Sequence, residues 1–327
     1  MSASATGWRA MTRRWIAEPL EGIATWLFFH GMRRLSLDQA SAFGGKVARW
    51  LGPRLPYSNR ARKNLRRCFP TWSDAEIEAV VAEVWENLGR VAGEFPTRAA
   101  ITAGGPEPRV ELVGQENLEA ALAEEGPAIF FSAHLANWEV LPLFALERGI
   151  PVTVVYRELN NPLGGRVMRQ AREGYEGQAI AKGPTAGRKL LAAAKRGDRL
   201  ALLIDQKLNE GTMVPFFGRP AMTTPIAARL ALHFRCPLVP VRCERLAGAH
   251  FRTTYYPALT LPDSGDKTAD ELALLTTIND IVEDWVRARP GQWLWLHRRW
   301  IDNGGPTGVD NPKESKRCPI IRLSRKN

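Results

Sequence analysis

From Arg109 to Tyr256 the chain keeps returning to one pattern, a short apolar run followed by a longer stretch with helical spacing. The apolar runs are RVELVG, PAIFFSA, PVTVVY, RLALLID, PLVPVRC and FRTTYY. Helical segments are expected at 115–125, 137–148, 162–174, 185–196, 224–234 and 268–289. Strand alternating with helix argues for an α/β class, a largely parallel mixed sheet flanked by helices. With 327 residues and 45% hydrophobic content, the chain can bury a large core as one α/β unit with extensions.

The first 100 residues read differently, as a helical N-terminal region. Residues 22–32, GIATWLFFHGM, form an apolar run between Arg13, Arg14 and Arg33, Arg34. A bilayer core needs about 20 apolar residues, so this run is too short to span alone. Ile16, Leu20, Ile23 and Leu27 recur on one helical face, and Trp8, Trp15 and Trp26 add interfacial character. A helix lying in the membrane interface is expected, with an ordinary amphipathic helix packed on the domain as the alternative. The basic connector that follows carries Arg54, Arg60, Arg62, Lys63, Arg66 and Arg67, and reads as a solvated face or an anion-binding surface. Ser73 and Glu76 have capping-box spacing for a helix through Phe95. The expected organisation is thus 1–100 helical, with interfacial anchor and connector; 101–303 α/β; and 304–327 a basic, loosely ordered tail.

The formal net charge of +11 suits anionic partners: lipid headgroups, acidic proteins or nucleic acid. No nucleic-acid motif is present, and aromatics do not interleave with the basic cluster as stacking platforms would, so nucleic acid is not an expected partner. Four scattered cysteines form no CxxC pair, which argues against a disulfide framework or a zinc site. Cys236 and Cys243 sit in apolar surroundings and read as small core residues.

PAIFFSA is read as a buried strand that ends just before His134, in the stretch FSAHLANWEV. Ligands in open α/β sheets gather at the carboxyl ends of strands. A neutral imidazole there can take a proton from a hydroxyl at working pH. Glu139, five residues on, is expected in the first turns of the next helix, orienting the ring and balancing the imidazolium. No serine or cysteine elbow precedes the pair, which favours direct attack by a substrate hydroxyl. RLALLID ends a second strand at Asp205, another acid at a strand's carboxyl end.

HLANWE resembles the H-x4-D/E block of glycerolipid acyltransferases, and more specifically the HxxNWE form of the bacterial lipid A late acyltransferases. The likeness continues in order through VYRELNNPLGGRVMRQAREG, LLIDQKLNEGTMVPFFGRPAMTTPIAARLA, CPLVPVRC and PGQWLWLHRRW, covering roughly residues 110–300. The resemblance implies an enzyme on the cytoplasmic face of the inner membrane. It implies transfer of a fatty acyl chain from acyl carrier protein to a hydroxyl of a lipid A precursor, with His134 and Glu139 catalytic and no metal or cofactor beyond the acyl-carrier-protein or acyl-CoA co-substrate. Arg172, Arg169, Asp205 and Asn137 are its expected substrate-binding residues, with the arginines suited to phosphate. The expected partners are acyl carrier protein, a membrane glycolipid acceptor and an anionic membrane surface. Looser relatives acylate other glycolipids, so a mannoside, a lysophospholipid or an aminolipid stays open as acceptor. A non-enzymatic basic membrane- or nucleic-acid-binding protein is the alternative of a different class. Phe216 and Phe217 read as core or as acyl-channel lining, and Trp293, Trp295 and Trp300 as a C-terminal strand or a cover for the site.

Overall fold

The computed structural model describes residues 18–103, 108–157, 161, 165 and 179–300. The N-terminal helices are α1 (Glu18–Met32), α2 (Leu37–Leu51), α3 (Ser58–Cys68), α4 (Asp74–Glu94) and the single turn α5 (Ala99–Thr102). Then follow β1 (Val110–Val113), α6 (Gln115–Ala123), β2 (Ala128–Ser132), α7 (Val140–Glu147), β3 (Val152–Tyr156) and β4 (Ala179–Ala181). The remainder is α8 (Ala186–Lys195), β5 (Arg199–Leu203), β6 (Thr212–Phe216), β7 (Arg219–Thr223), α9 (Ile226–Phe234), β8 (Leu238–Arg245), β9 (Phe251–Tyr255) and α10 (Lys267–Ala288).

Among the described residues the main sheet has seven strands in the order β1-β9-β8-β2-β5-β3-β4. Every neighbouring pair is parallel except β8 with β9. This is the expected mixed α/β sheet with helices on both faces. Two local readings change. The helix expected at 224–234 begins only at Ile226, as α9 and without a side-chain cap, and the stretch before it is a small antiparallel hairpin, β6 with β7. The segment 293–300 forms no strand; its one ladder contact is an isolated bridge between Leu135 and Trp293. Apart from Gly165, the expected helix at 162–174 lies outside the described residues, as does the tail.

The expected boundary near residue 100 divides elements that share one core. Leu65, Ile77, Val81 and Val84 of α3 and α4 pack in the same cluster as Ile129 and Phe131 of β2. Trp293, Trp295 and Trp300 are buried there too, with Phe216 and Phe217, so they help to fill the core. Helices α2 and α4 touch closely: a Cβ on Gly89 would meet the Gly44 carbonyl oxygen at 2.2 Å. The capping box on α4 forms as its spacing predicts, with Ser73 N–H donating to Glu76 Oε2 at 2.7 Å. Within the basic connector, Arg62 is paired with Glu78 and Arg66 with Asp74, which spends part of its charge internally.

On α1 the apolar residues point outward. Leu20 (60%), Leu27 (58%), Ile23 and Trp26 are exposed, while Phe29 and Met32 face the protein. On α2, Phe43, Val47, Trp50 and Leu51 are also exposed, and their spacing puts them on one face. No helix among the described residues is long and apolar enough to cross a membrane.

A buried ion pair ties the N-terminal helices to the loop after β2. Arg245, at the end of β8, grips Glu94 of α4 with both terminal nitrogens, Nη2 at 3.0 Å from Oε2. Its Nε donates to Asn87 Oδ1 at 3.0 Å. Ser41 Oγ donates to Glu94 Oε1 at 2.6 Å, and Asn137 Nδ2 to Oε2 at 2.8 Å. Removing one partner leaves a buried, uncompensated charge, a cost of about 3–5 kcal/mol, whereas replacing both with apolar groups is far milder. Arg245→Met is therefore expected to destabilise the protein by that order in chemical denaturation, with Glu94→Met in the same chain recovering a large part of the loss. Equal stability of Arg245→Met and wild type would show that the pair does not hold the loop.

Candidate active site

β2 and β5 are parallel neighbours in a register that puts Ser132 opposite Leu203. Two residues beyond, at the carboxyl ends of both strands, the same register brings His134 opposite Asp205. The Asp205 carboxylate is buried and receives three donors. His134 Nδ1 lies 2.7 Å from Oδ1, the His134 amide donates to Oδ2 at 2.9 Å, and Trp293 Nε1 donates to Oδ2 at 2.7 Å. Burial by itself pushes this carboxyl up, but the His134 charge, the two His134 hydrogen bonds and the Trp293 indole outweigh it and hold it well below the usual carboxylate range. These contacts favour the ionised form of Asp205.

The expected partner of the His134 ring was Glu139, and here the structure corrects the reading. Both ring nitrogens are already engaged, Nδ1 by Asp205 and Nε2 by the Gln206 amide at 3.0 Å. Residues 134–139 are not helical. Ala136 takes a left-handed conformation (φ 49°), and the helix begins only at Val140, with Glu139 as its N-cap residue. The five-residue separation therefore runs around a loop, and Glu139 comes to line a cavity.

Asn137 is likewise turned inward. Its side chain is buried, donates to Glu94 and accepts the Glu139 amide at 3.2 Å. Asn87 Nδ2 donates to the Ala136 carbonyl at 2.9 Å, and the Ala136 amide donates to the Gln292 carbonyl at 2.9 Å. A non-glycine residue at positive φ is costly, and these contacts hold it in place. Asn137 shapes the loop; its expected place among groups that touch substrate is not where its amide points. Arg169 and Arg172 lie outside the described residues.

Sequence reasoning passed over two residues. Gln206 Nε2 is 3.0 Å from His134 Nε2 and also 3.0 Å from His297 Nε2. Burial first, then the His134 charge, pushes the His297 imidazole down to about 4, so it is neutral at physiological pH. Position next to Asp205 was the available signal for Gln206; nothing local marked His297.

Beside the His134 ring the protein opens an apolar cavity of about 910 Å³, counted out to its open mouth. Trp138, whose ring centroid is 5.1 Å from that of His134, lines it together with Glu139 and Ser132. Its walls are otherwise mostly apolar, from Phe130, Leu141, Val154 and Ala201 among others. The Ser132 hydroxyl is buried without a hydrogen-bond partner among the described residues. No group of three His, Cys, Asp or Glu side chains converges to hold a metal among the described residues. Cys236 and Cys243 are buried as expected, and burial pushes their thiols up to about 11 and about 12, which leaves them poor nucleophiles.

Comparison with known proteins assigns the chemistry to a family. A lipid A biosynthesis acyltransferase of Haemophilus influenzae is 24% identical over 257 residues, 77% of this chain and 78% of its own. The lipid A biosynthesis palmitoleoyltransferase of Escherichia coli is 26% identical over 252 residues, 73% of this chain and 77% of its own. A phosphatidylinositol mannoside acyltransferase of Mycobacterium tuberculosis is 25% identical over 287 residues, 85% of this chain and 87% of its own. The model of the bacterial lipid A biosynthesis acyltransferase family matches residues 8–302. With nearly its whole length matched, the chain belongs to the bacterial lipid A biosynthesis acyltransferase family, and it is an acyltransferase.

Proposed function

We propose that this enzyme transfers a fatty acyl chain from an acyl carrier protein thioester to a hydroxyl of a lipid A precursor, with His134 as general base and Asp205 as its partner. The observation that carries the reading is a His134–Asp205 pair set beside a large apolar cavity. In this scheme the acyl chain fills the cavity and presents its thioester carbonyl near Trp138. His134 Nε2 takes the proton as the acceptor hydroxyl attacks, and Asp205 stabilises the imidazolium. The tetrahedral intermediate collapses, the carbon–sulfur bond breaks, and the thiolate leaves with the proton from His134. The unengaged Ser132 hydroxyl is a polar group available to the carbonyl end of the chain. Arg172 and Arg169 are assigned to acceptor or donor phosphates. The basic surface suits acyl carrier protein and anionic lipid, and no cofactor beyond the acyl donor is required. The mannoside relative matches the chain over 85% of its length, which keeps a phosphorylated mannoside as the second acceptor to test.

The exposed faces of α1 and α2, with exposed Arg33, Arg34 and Lys46 beside them, are assigned to the cytoplasmic surface of the inner membrane.

With purified enzyme, acyl carrier protein thioester and defined acceptors, His134→Ala is expected to lower kcat by about 10²–10⁴-fold with an unchanged melting curve. Asp205→Asn is expected to cost more in kcat than Glu139→Gln, because Asp205 holds the ring tautomer; the reverse order would restore Glu139 as the partner. Retention of turnover by His134→Ala sinks the scheme, and the acceptor panel separates lipid A precursor from mannoside.

Ala201, midway along β5 and opposite Phe130, lines the cavity wall. Ala201→Phe shortens the space available to a chain. Each buried methylene is worth about 0.8 kcal/mol, so exclusion of two should shift relative kcat/KM toward shorter donors by about tenfold. An unchanged chain-length profile would place the acyl chain elsewhere.

Leu27→Glu combined with Phe43→Glu removes two exposed apolar groups, each worth roughly 1.5–3 kcal/mol if buried in lipid. Binding to vesicles containing anionic lipid, read by co-sedimentation, is expected to weaken at least tenfold. Unaltered sedimentation would remove this face from the membrane.

A further inference from the structure

A carboxamide nitrogen carries two hydrogens and accepts nothing. Where Gln206 Nε2 sits 3.0 Å from both His134 Nε2 and His297 Nε2, each imidazole nitrogen must therefore be an acceptor. Each ring then keeps its proton on Nδ1. For His134 that is the tautomer Asp205 also demands, since its carboxylate accepts from Nδ1. Gln206 and Asp205 thus hold the same protonation state from opposite sides of one ring. For His297, nothing but the Gln206 bond enforces that state among the described contacts. A free neutral imidazole prefers its proton on Nε2, so the bond works against the intrinsic preference of the ring.

The arrangement also occupies the one lone pair that a general base must offer. An acceptor hydroxyl cannot reach His134 Nε2 until the Gln206 amide lets go. The bond to His297 keeps the amide at the site when it does. Once His134 has taken the hydroxyl proton, Nε2 becomes a donor, and the amide can meet it only by turning its oxygen. Turning it would set that oxygen against the bare His297 Nε2, so the tethered amide favours the neutral ring.

We propose that Gln206 and His297 are positioning residues of the acyl transfer: Gln206, tethered on His297, keeps His134 ready to accept a proton and yields its place to the acceptor hydroxyl. This rests on the reading of His134 as general base. The charged and titratable groups around the pair are Asp205 on His134, Arg60 and Lys182 toward His297, and Glu139 in the adjoining cavity. His297 serves as a tether only while neutral, and its burial favours that form, pushing the imidazole down to about 4.

The test uses the full-length enzyme in detergent with ¹⁵N-labelled histidine. At neutral pH, the wild-type His297 signal, assigned with His297→Asn, is expected to show Nδ1 protonated and Nε2 bare. In Gln206→Leu the proton is expected to move to Nε2. A wild-type His297 protonated on Nε2 overturns the proposal whatever the Gln206 variants show. Kinetically, Gln206→Glu replaces the donor by a group that only accepts and carries charge. It is expected to hold His134 as imidazolium, moving the acid limb of the kcat/KM–pH profile up by about 1–3 pH units, with activity recovering above the new limb. Gln206→Leu should move that limb less than Gln206→Glu does. A Gln206→Glu enzyme with the wild-type limb, or one folded but inactive at every pH, overturns the proposal. His134→Ala run alongside separates the two claims. If it stays active, the base reading falls; if it is dead while Gln206→Glu leaves the limb in place, only the present inference falls.

Discussion

Three hydrogen bonds converge on one buried carboxylate, that of Asp205, and the rest of the site is arranged around them. A buried anion is tolerated only when it is well supplied with donors. The His134 amide, the His134 ring and the Trp293 indole supply them from two different segments of the chain. Trp293 is held in turn by the aromatic cluster it joins, its ring meeting Trp295 edge-on at 4.7 Å between centroids. The late aromatic segment therefore closes the back of the site as well as filling the core.

The loop that carries His134 is held from beneath by a second polar network. Glu94 and Arg245 join helix α4 to the end of β8, and Asn137 and Asn87 join that pair to the loop. The N-terminal helices are consequently part of the catalytic unit. The outer faces of α1 and α2 remain exposed and apolar. One helical region thus turns apolar residues outward on one side and supports the geometry of the His134 loop on the other.

The cavity beside His134 lies on the sheet face away from the main core. Strand β2 alternates its side chains, Ile129 and Phe131 toward the large cluster and Phe130 and Ser132 toward the cavity. The His134–Asp205 pair at the strand ends and an apolar slot along one sheet face are thus two consequences of the same strand. Family membership fits that arrangement, since an acyltransferase needs a proton acceptor next to a place for a chain. The relatives' names divide between lipid A biosynthesis and phosphatidylinositol mannoside acylation.

The alternation of apolar runs and helical stretches was enough to determine the α/β class, because periodicity follows from which side chains must leave water. His134 was legible from its place after a buried strand, and Asp205 from its place after another. The outward apolar face of α1 was legible from the spacing of Leu20, Ile23 and Leu27. Which carboxylate meets the imidazole was not. Five residues in a row suggested Glu139, but that spacing crosses a left-handed turn at Ala136, whereas Asp205 arrives through a hydrogen-bonded register between strands 71 residues apart. Gln206 and His297, the inward turn of Asn137, and the cavity itself were likewise decided by tertiary structure. Local sequence sets the periodicity of each element; which distant side chains share one hydrogen-bond network depends on strand order and register, and those exist only once the chain has folded.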